Sequence, residues 1–118
     1  MKRHYSLFVK DILDCIDKIQ EFIGDMDYKQ FKDNDLVNSA VIRKLEIIGE
    51  ASKNIPDFIR EKYPEIPWKD MARMRDKIIH FYFGVDYEIV WKVIKERLPE
   101  LKEKIERVFQ EIQEKELN

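Results

Sequence analysis

The sequence has one cysteine, three glycines, four prolines and two histidines in 118 residues. A single cysteine excludes an intrachain disulfide and argues against a cysteine-based metal site. Cys15, one helical turn from Ile12 and from Ile19, reads as a small buried hydrophobe. The only imidazoles are His4 and His80, and there is no inward-facing Glu-x-x-His pair of the kind used by two-metal bundles. Metal catalysis is therefore a poor reading, and no cofactor is expected. Long apolar runs are missing too. Lys10 and Asp11 interrupt the N-terminal MKRHYSLFVKDILDC before it reaches signal-peptide length, and no later run approaches the roughly 18 apolar residues of a membrane span. A cytoplasmic protein without membrane contact is expected.

An excess of one charge is also absent. Lys and Arg total 22 against 24 Asp and Glu, for a net charge of -2. That balance excludes a globally basic nucleic-acid binder and a polybasic membrane anchor, so any nucleic acid must be met by a local patch. The length is that of one domain, residues 1–118, without room for a second sizeable core.

What is present is helical periodicity almost throughout, with no alternating stretch long enough to argue for a sheet, and this predicts an all-α fold. A first helix over residues 4–23 carries Phe8, Ile12, Ile16, Ile19 and Ile23 on one face and stops at Gly24 and Asp25. Asp33, Asn34 and Asp35 are candidate N-caps for a second helix. It carries Val37, Val41, Leu45, Ile48 and Ala51 and ends near Asn54, ahead of Pro56. A short turn from Asp57 to Tyr63 follows. YPEIPWKD, residues 63–70, leads into a third helix with Pro67 or Asp70 near its start and Gly84 at its end. From Tyr87 onward, Trp91, Ile94, Leu98, Leu101, Ile105, Val108 and Ile112 recur at spacings of three and four. Pro99 lies inside this seam, so it is either one kinked helix or two stacked ones with Pro99 in the first turn of the second.

The third helix contains the residues that packing does not explain. On a wheel, Met71, Met74, Ile78 and Phe81 form the core stripe, with Arg75, Ile79 and Tyr82 along one margin and Arg73, Asp76 and His80 opposite. An arginine beside an apolar stripe must be paired, hydrogen-bonded or able to reach water. Arg75 is therefore either a salt-bridge partner of a neighbouring helix, through Glu46 or Glu50, or a grip for phosphate. His80 lies about 140° from it on an ideal helix, so a local break near Gly84, a long Arg side chain wrapping round the helix or a two-fold dimer is needed to bring the two together. Lys69, Arg73, Arg75 and Lys77 outnumber Asp70 and Asp76 by two charges, a modest basic patch that could hold a nucleic-acid backbone without reading its sequence. Asp76 is either a solvated carboxylate or a support that orients His80. Tyr82 reads by itself as a core-edge tyrosine.

Arg75, His80 and Tyr82 together spell R-x4-H-x-Y, which resembles the motif of the HepT-like branch of the HEPN superfamily. The resemblance also takes in AVIRKLEIIGEASKNIP at 40–56, IPW at 66–68 and VDYEIVWKVIKERLPEL at 85–101, in the expected order over nearly the whole chain. It implies a single HepT-like domain folded as an up-down bundle of four to five helices. This would be a homodimer acting as the toxin of a type VII (HepT/MntA-like) toxin–antitoxin pair. The implied activity is metal-independent cleavage of RNA, with tRNA and mRNA as candidates, by attack of the 2′-hydroxyl to leave a 2′,3′-cyclic phosphate and a 5′-hydroxyl. His80 would transfer protons and Arg75 would stabilise the transition-state charge. In the family the tyrosine matching Tyr82 receives AMP, transferred from ATP by a minimal nucleotidyltransferase antitoxin. The alternative is a non-catalytic dimeric module that partners such a nucleotidyltransferase.

Overall fold

In a computed structural model, residues 3–80 and 84–117 are described, with the backbone alone at 80, 116 and 117. The first rod is α1 (Tyr5–Ile23), which buries Val9, Ile12, Cys15, Ile16, Ile19 and Ile23 on one face. His4 caps its start by accepting from the Ser6 N–H at 3.1 Å. Gly24, at φ 50°, closes its end by donating to the Gln20 carbonyl. Burial raises the Cys15 thiol pKa, as suits an inert packing residue.

A short helix that the periodicity did not announce follows, α2 (Tyr28–Asp33). Its signal is a capping box: Gln30 N–H donates to Asp27 Oδ1 at 2.8 Å, and Gln30 Oε1 accepts from the Asp27 N–H at 2.9 Å. It carries Phe31 into the core. The second rod, α3 (Asp35–Lys53), is capped by Asn34, one of the expected candidates, whose side chain accepts from Val37 N–H at 3.0 Å. The buried Asn38 amide donates to the Phe31 and Lys32 carbonyls, satisfying the end of α2. The expected turn after Asn54 is a helix, α4 (Asp57–Lys62), from which Arg60 donates to Ser52 O at 2.7 Å and Ile55 O at 3.1 Å. A cation at the end of α3 suits the negative pole of its dipole.

The third helix departs from expectation. α5 (Trp68–Ala72), with Pro67 at its N-cap, breaks at Arg73; α6 (Met74–Ile78) follows and stops well short of Gly84. The chain then extends, and β1 (Ile79–His80) pairs antiparallel with β2 (Gly84–Val85), Ile79 opposite Val85 and His80 opposite Gly84. The Asp86 N–H closes the return by donating to Ile78 O at 2.8 Å. The physical reason lies in IIHFYF, whose β-branched and aromatic residues suit a pleated conformation as well as a helical one; a short apolar run cannot decide between the two periods. Gly84, at φ 77°, therefore shapes the return strand instead of ending a helix. The expected stripe holds as far as it is described: Met71, Met74 and Ile78 are buried. Its last member, Phe81, lies outside the described residues.

The final rod is α7 (Tyr87–Lys92), a π-helical turn at Val93–Arg97, and α8 (Leu98–Leu117). Pro99 stands in the first turn of α8, and the wider turn ahead of it gives Leu98 N–H the Val93 carbonyl as acceptor. Leu98, Leu101, Ile105, Val108 and Ile112 are buried, and α8 packs on α1, so the heptad-like seam is core within the chain. α1 also packs on α3, which in turn carries α5 and α6.

Tyr63, just after α4, donates its hydroxyl to Glu111 of α8 at 2.6 Å. Burial, and next the bond to Glu111, push the phenol up to about 12 from an ordinary 10. The fold thus favours the neutral phenol, so its contribution is complete below pH 10 and is lost as pH rises toward 12. Tyr63→Phe is expected to cost about 1 kcal/mol at neutral pH. In urea titrations its deficit against wild type should shrink across that alkaline window; a constant deficit would contradict the linkage.

Candidate active site

Arg75 lies in the first turn of α6 with its side chain 66% exposed. Its Nε is 3.8 Å from Oε2 of Glu46 on α3, and Arg43 Nη1 is 3.9 Å from the same oxygen. Of the two partners expected for a salt bridge, the structure selects Glu46. Both distances exceed hydrogen-bonding range, and ion pairs this exposed are worth about 0–1 kcal/mol. The pair is compatible with a phosphate grip, because the guanidinium donors are not used: among the described residues the Arg75 side chain donates no hydrogen bond.

A cleft of about 400 Å³ opens here, walled by α1 and α3 and reaching Ala72 and Arg75. Its shape depends on Gly49. A Cβ at this position would lie 3.2 Å from the Met71 carbonyl oxygen and 3.6 Å from that of Ala72. The missing side chain lets the α5–α6 junction close onto α3, one helical turn from Glu46, and so brings Arg75 within reach of that carboxylate.

The basic patch expected from the sequence is divided. Lys77 pairs with Asp70 at 3.4 Å, and both line a separate groove of about 530 Å³ between α5–α6 and the C-terminal rod. Lys69 and Arg73 are exposed without an ion pair among the described residues, and Asp76 is exposed beside Arg75. His80 has its backbone in β1 while its side chain lies outside the described residues, as does the whole of Tyr82. Among the described residues, no three His, Cys, Asp or Glu side chains are grouped to hold a metal ion, and no helix is long and apolar enough to cross a membrane.

The family model of ribonuclease HepT-like proteins matches residues 12–108. The chain belongs to the HepT-like ribonuclease family. It is 52% identical, over 97% of its length and 98% of the relative's, to a Methanocaldococcus jannaschii protein provisionally named an RNase. A second provisionally named RNase of that organism is 49% identical over 99% of this chain and 97% of its own length. The probable ribonuclease HepT of Thermococcus cleftensis is 50% identical over 92% of this chain and 98% of its own. No solved structure matches. By family, then, this HepT-like chain is an enzyme of the ribonuclease class.

Three residues around the HepT-like cleft were not singled out for function from the sequence: Arg43, Gly49 and, beyond its part as a salt-bridge candidate, Glu46. A signal for them exists. Arg43, Glu46, Glu50 and Lys53 recur at spacings of three and four, which puts four charged side chains on one face of α3, the face that carries the cleft.

Proposed function

We propose that this HepT-like protein is the toxin of a type VII toxin–antitoxin pair, a cytoplasmic endoribonuclease that cuts RNA without a metal. The observation that carries the reading is the end of α6 at Ile78, two residues before His80. Arg75 leaves the helix beside the cleft with its donors unused, while the chain at His80 is already extended. The angular separation of one straight helix therefore does not apply to the pair.

In this reading the 2′-oxygen forms the new bond to phosphorus while its proton passes to a basic imidazole. The bond from phosphorus to the 5′-oxygen breaks, and an acidic imidazole supplies the proton that leaves a 5′-hydroxyl. Arg75 stabilises the added negative charge on the phosphoryl oxygens. A homodimer supplies two copies of His80, one for each role, with Asp76 in support and Lys69, Arg73 and Lys77 available to the RNA backbone. Inhibition comes from transfer of AMP from ATP to Tyr82 by a nucleotidyltransferase antitoxin. This would place negative charge and an adenine beside the site.

The test is incubation of the purified protein with mixed RNA in EDTA, followed by end-group analysis. Products ending in 2′,3′-cyclic phosphate and 5′-hydroxyl are expected, and ATP with the partner nucleotidyltransferase should stop cleavage and add AMP to Tyr82 by mass spectrometry. An absence of cleavage under every condition would leave the non-catalytic module as the better account.

A further inference from the structure

The cleft beside Arg75 contains one charge that its carboxylates do not match. Arg3 is bonded to Asp11 through both terminal nitrogens, at 2.5 and 3.3 Å, and Lys53 has Glu50 at 3.9 Å. Each of these cations has a carboxylate of its own. Arg43 and Arg75 share one, and they share a single oxygen of it. Neither guanidinium donates a hydrogen bond among the described residues, and their side chains are 70% and 66% exposed, whereas Glu46 sits deeper at 29%. The arrangement is two outward-reaching forks held loosely over one recessed negative charge.

From this we infer that Arg43 and Arg75 form a two-arginine clamp for a phosphodiester of the RNA backbone, with the Glu46 carboxylate as the placeholder that the phosphate displaces. The inference rests on the ribonuclease reading and extends it, since it assigns α3 a part in holding substrate that the motif does not contain. A phosphodiester carries the same single negative charge as Glu46 and also two acceptor oxygens. Not being tethered to α3 at 3.8 and 3.9 Å from the two forks, it can approach both, so each guanidinium can make charge-assisted hydrogen bonds in place of a contact beyond bonding range. The exchange loses little, because the ion pairs it breaks are exposed and weak. It also adds a phosphate contact on the cleft side of α6, opposite the groove that holds Lys77.

The test uses a fluorescent single-stranded RNA, 2′-O-methylated throughout so that it cannot be cut, with anisotropy read at several salt concentrations on the full chain. Arg43→Ala is expected to weaken binding about 5- to 20-fold and to flatten the slope of log affinity against log salt by about 0.7, the value of one phosphate contact on a single strand. Arg43→Lys should fall between the two, since it keeps the charge and loses the fork. Glu46→Gln should tighten binding several-fold, and Lys18→Ala, on α1 outside the cleft, should change nothing. With cleavable RNA the Arg43 effect should fall on KM more than on kcat. Wild-type affinity in Arg43→Ala, or weaker binding in Glu46→Gln, overturns the clamp, as does 5′-AMP binding with the same dependence on Arg43, which would make this a mononucleotide site. If wild type cuts RNA while Arg43→Ala binds normally, only the clamp fails. If wild type cuts nothing yet binding follows Arg43 and Glu46 as stated, the clamp stands and the ribonuclease reading fails.

Discussion

His80→Ala is expected to lower the rate of RNA cleavage in EDTA by about 10²- to 10⁴-fold, the usual worth of a positioned proton-transfer group. Arg75→Ala should cost about 10²- to 10³-fold, as for other groups that stabilise transition-state charge. Unfolding does not confuse the second result: the Arg75 side chain is 66% exposed and its one ion pair among the described residues is loose, so stability should move by less than about 0.5 kcal/mol. Chemical rescue separates catalysis from architecture. Added imidazole should restore part of the His80→Ala rate, and added guanidinium part of the Arg75→Ala rate, while Arg75→Lys should stay impaired because an ammonium cannot reproduce the planar fork. Cleavage at the wild-type rate in both alanine variants would remove the proposed site.

Gly49→Val is expected to destabilise the fold by about 2–3 kcal/mol, in the range of overpacked cores. The position is buried inside α3, and even a Cβ would be 3.2 Å from the Met71 carbonyl oxygen and 3.8 Å from Met74 Cβ. A branched side chain has no free direction there, and the Met71 carbonyl already accepts from Arg73 N–H at the end of α5. Thermal melting should therefore show a drop of more than about 5 °C. Gly49→Ala is the sharper probe. Its gain in helix propensity of about 1 kcal/mol offsets much of the crowding, yet the α5–α6 junction must still shift by a few tenths of an ångström. Arg75 moves with that junction, so activity should fall by about 10-fold while the melting temperature changes little. Equal activity in wild type and Gly49→Ala would show that the close approach of α5–α6 to α3 does not set the position of Arg75.

Much of the fold was legible because most of the chain is in long helices whose local signals agree with their burial. Ile12, Cys15, Ile16 and Ile19 of α1, and Leu98, Leu101, Ile105 and Val108 of α8, repeat at three and four and are buried at those positions. Asn34 was among the expected caps and is the cap used. Where the signals were short they were missed or misassigned. α2 depends on one capping box and one buried phenylalanine, and IIHFYF is too brief and too apolar to fix its own period. For the candidate site, the motif singled out Arg75. Nothing local could show that α6 stops at Ile78, because that depends on the pairing of Ile79 with Val85, six residues further along.

By itself the sequence determined the helical class, the three long rods and the burial of Cys15, and it picked out Arg75, His80 and Tyr82 as candidates, since periodicity, caps and residue chemistry are local properties written along the chain. Only the tertiary structure decided that Arg75 faces Glu46 and not Glu50, that Arg43 shares its oxygen, that Lys77 turns to a different groove and that Gly49 lets α5–α6 close onto α3. Each is a matter of how closely two separate segments approach. That is set by packing between helices far apart in sequence, and no single segment carries it.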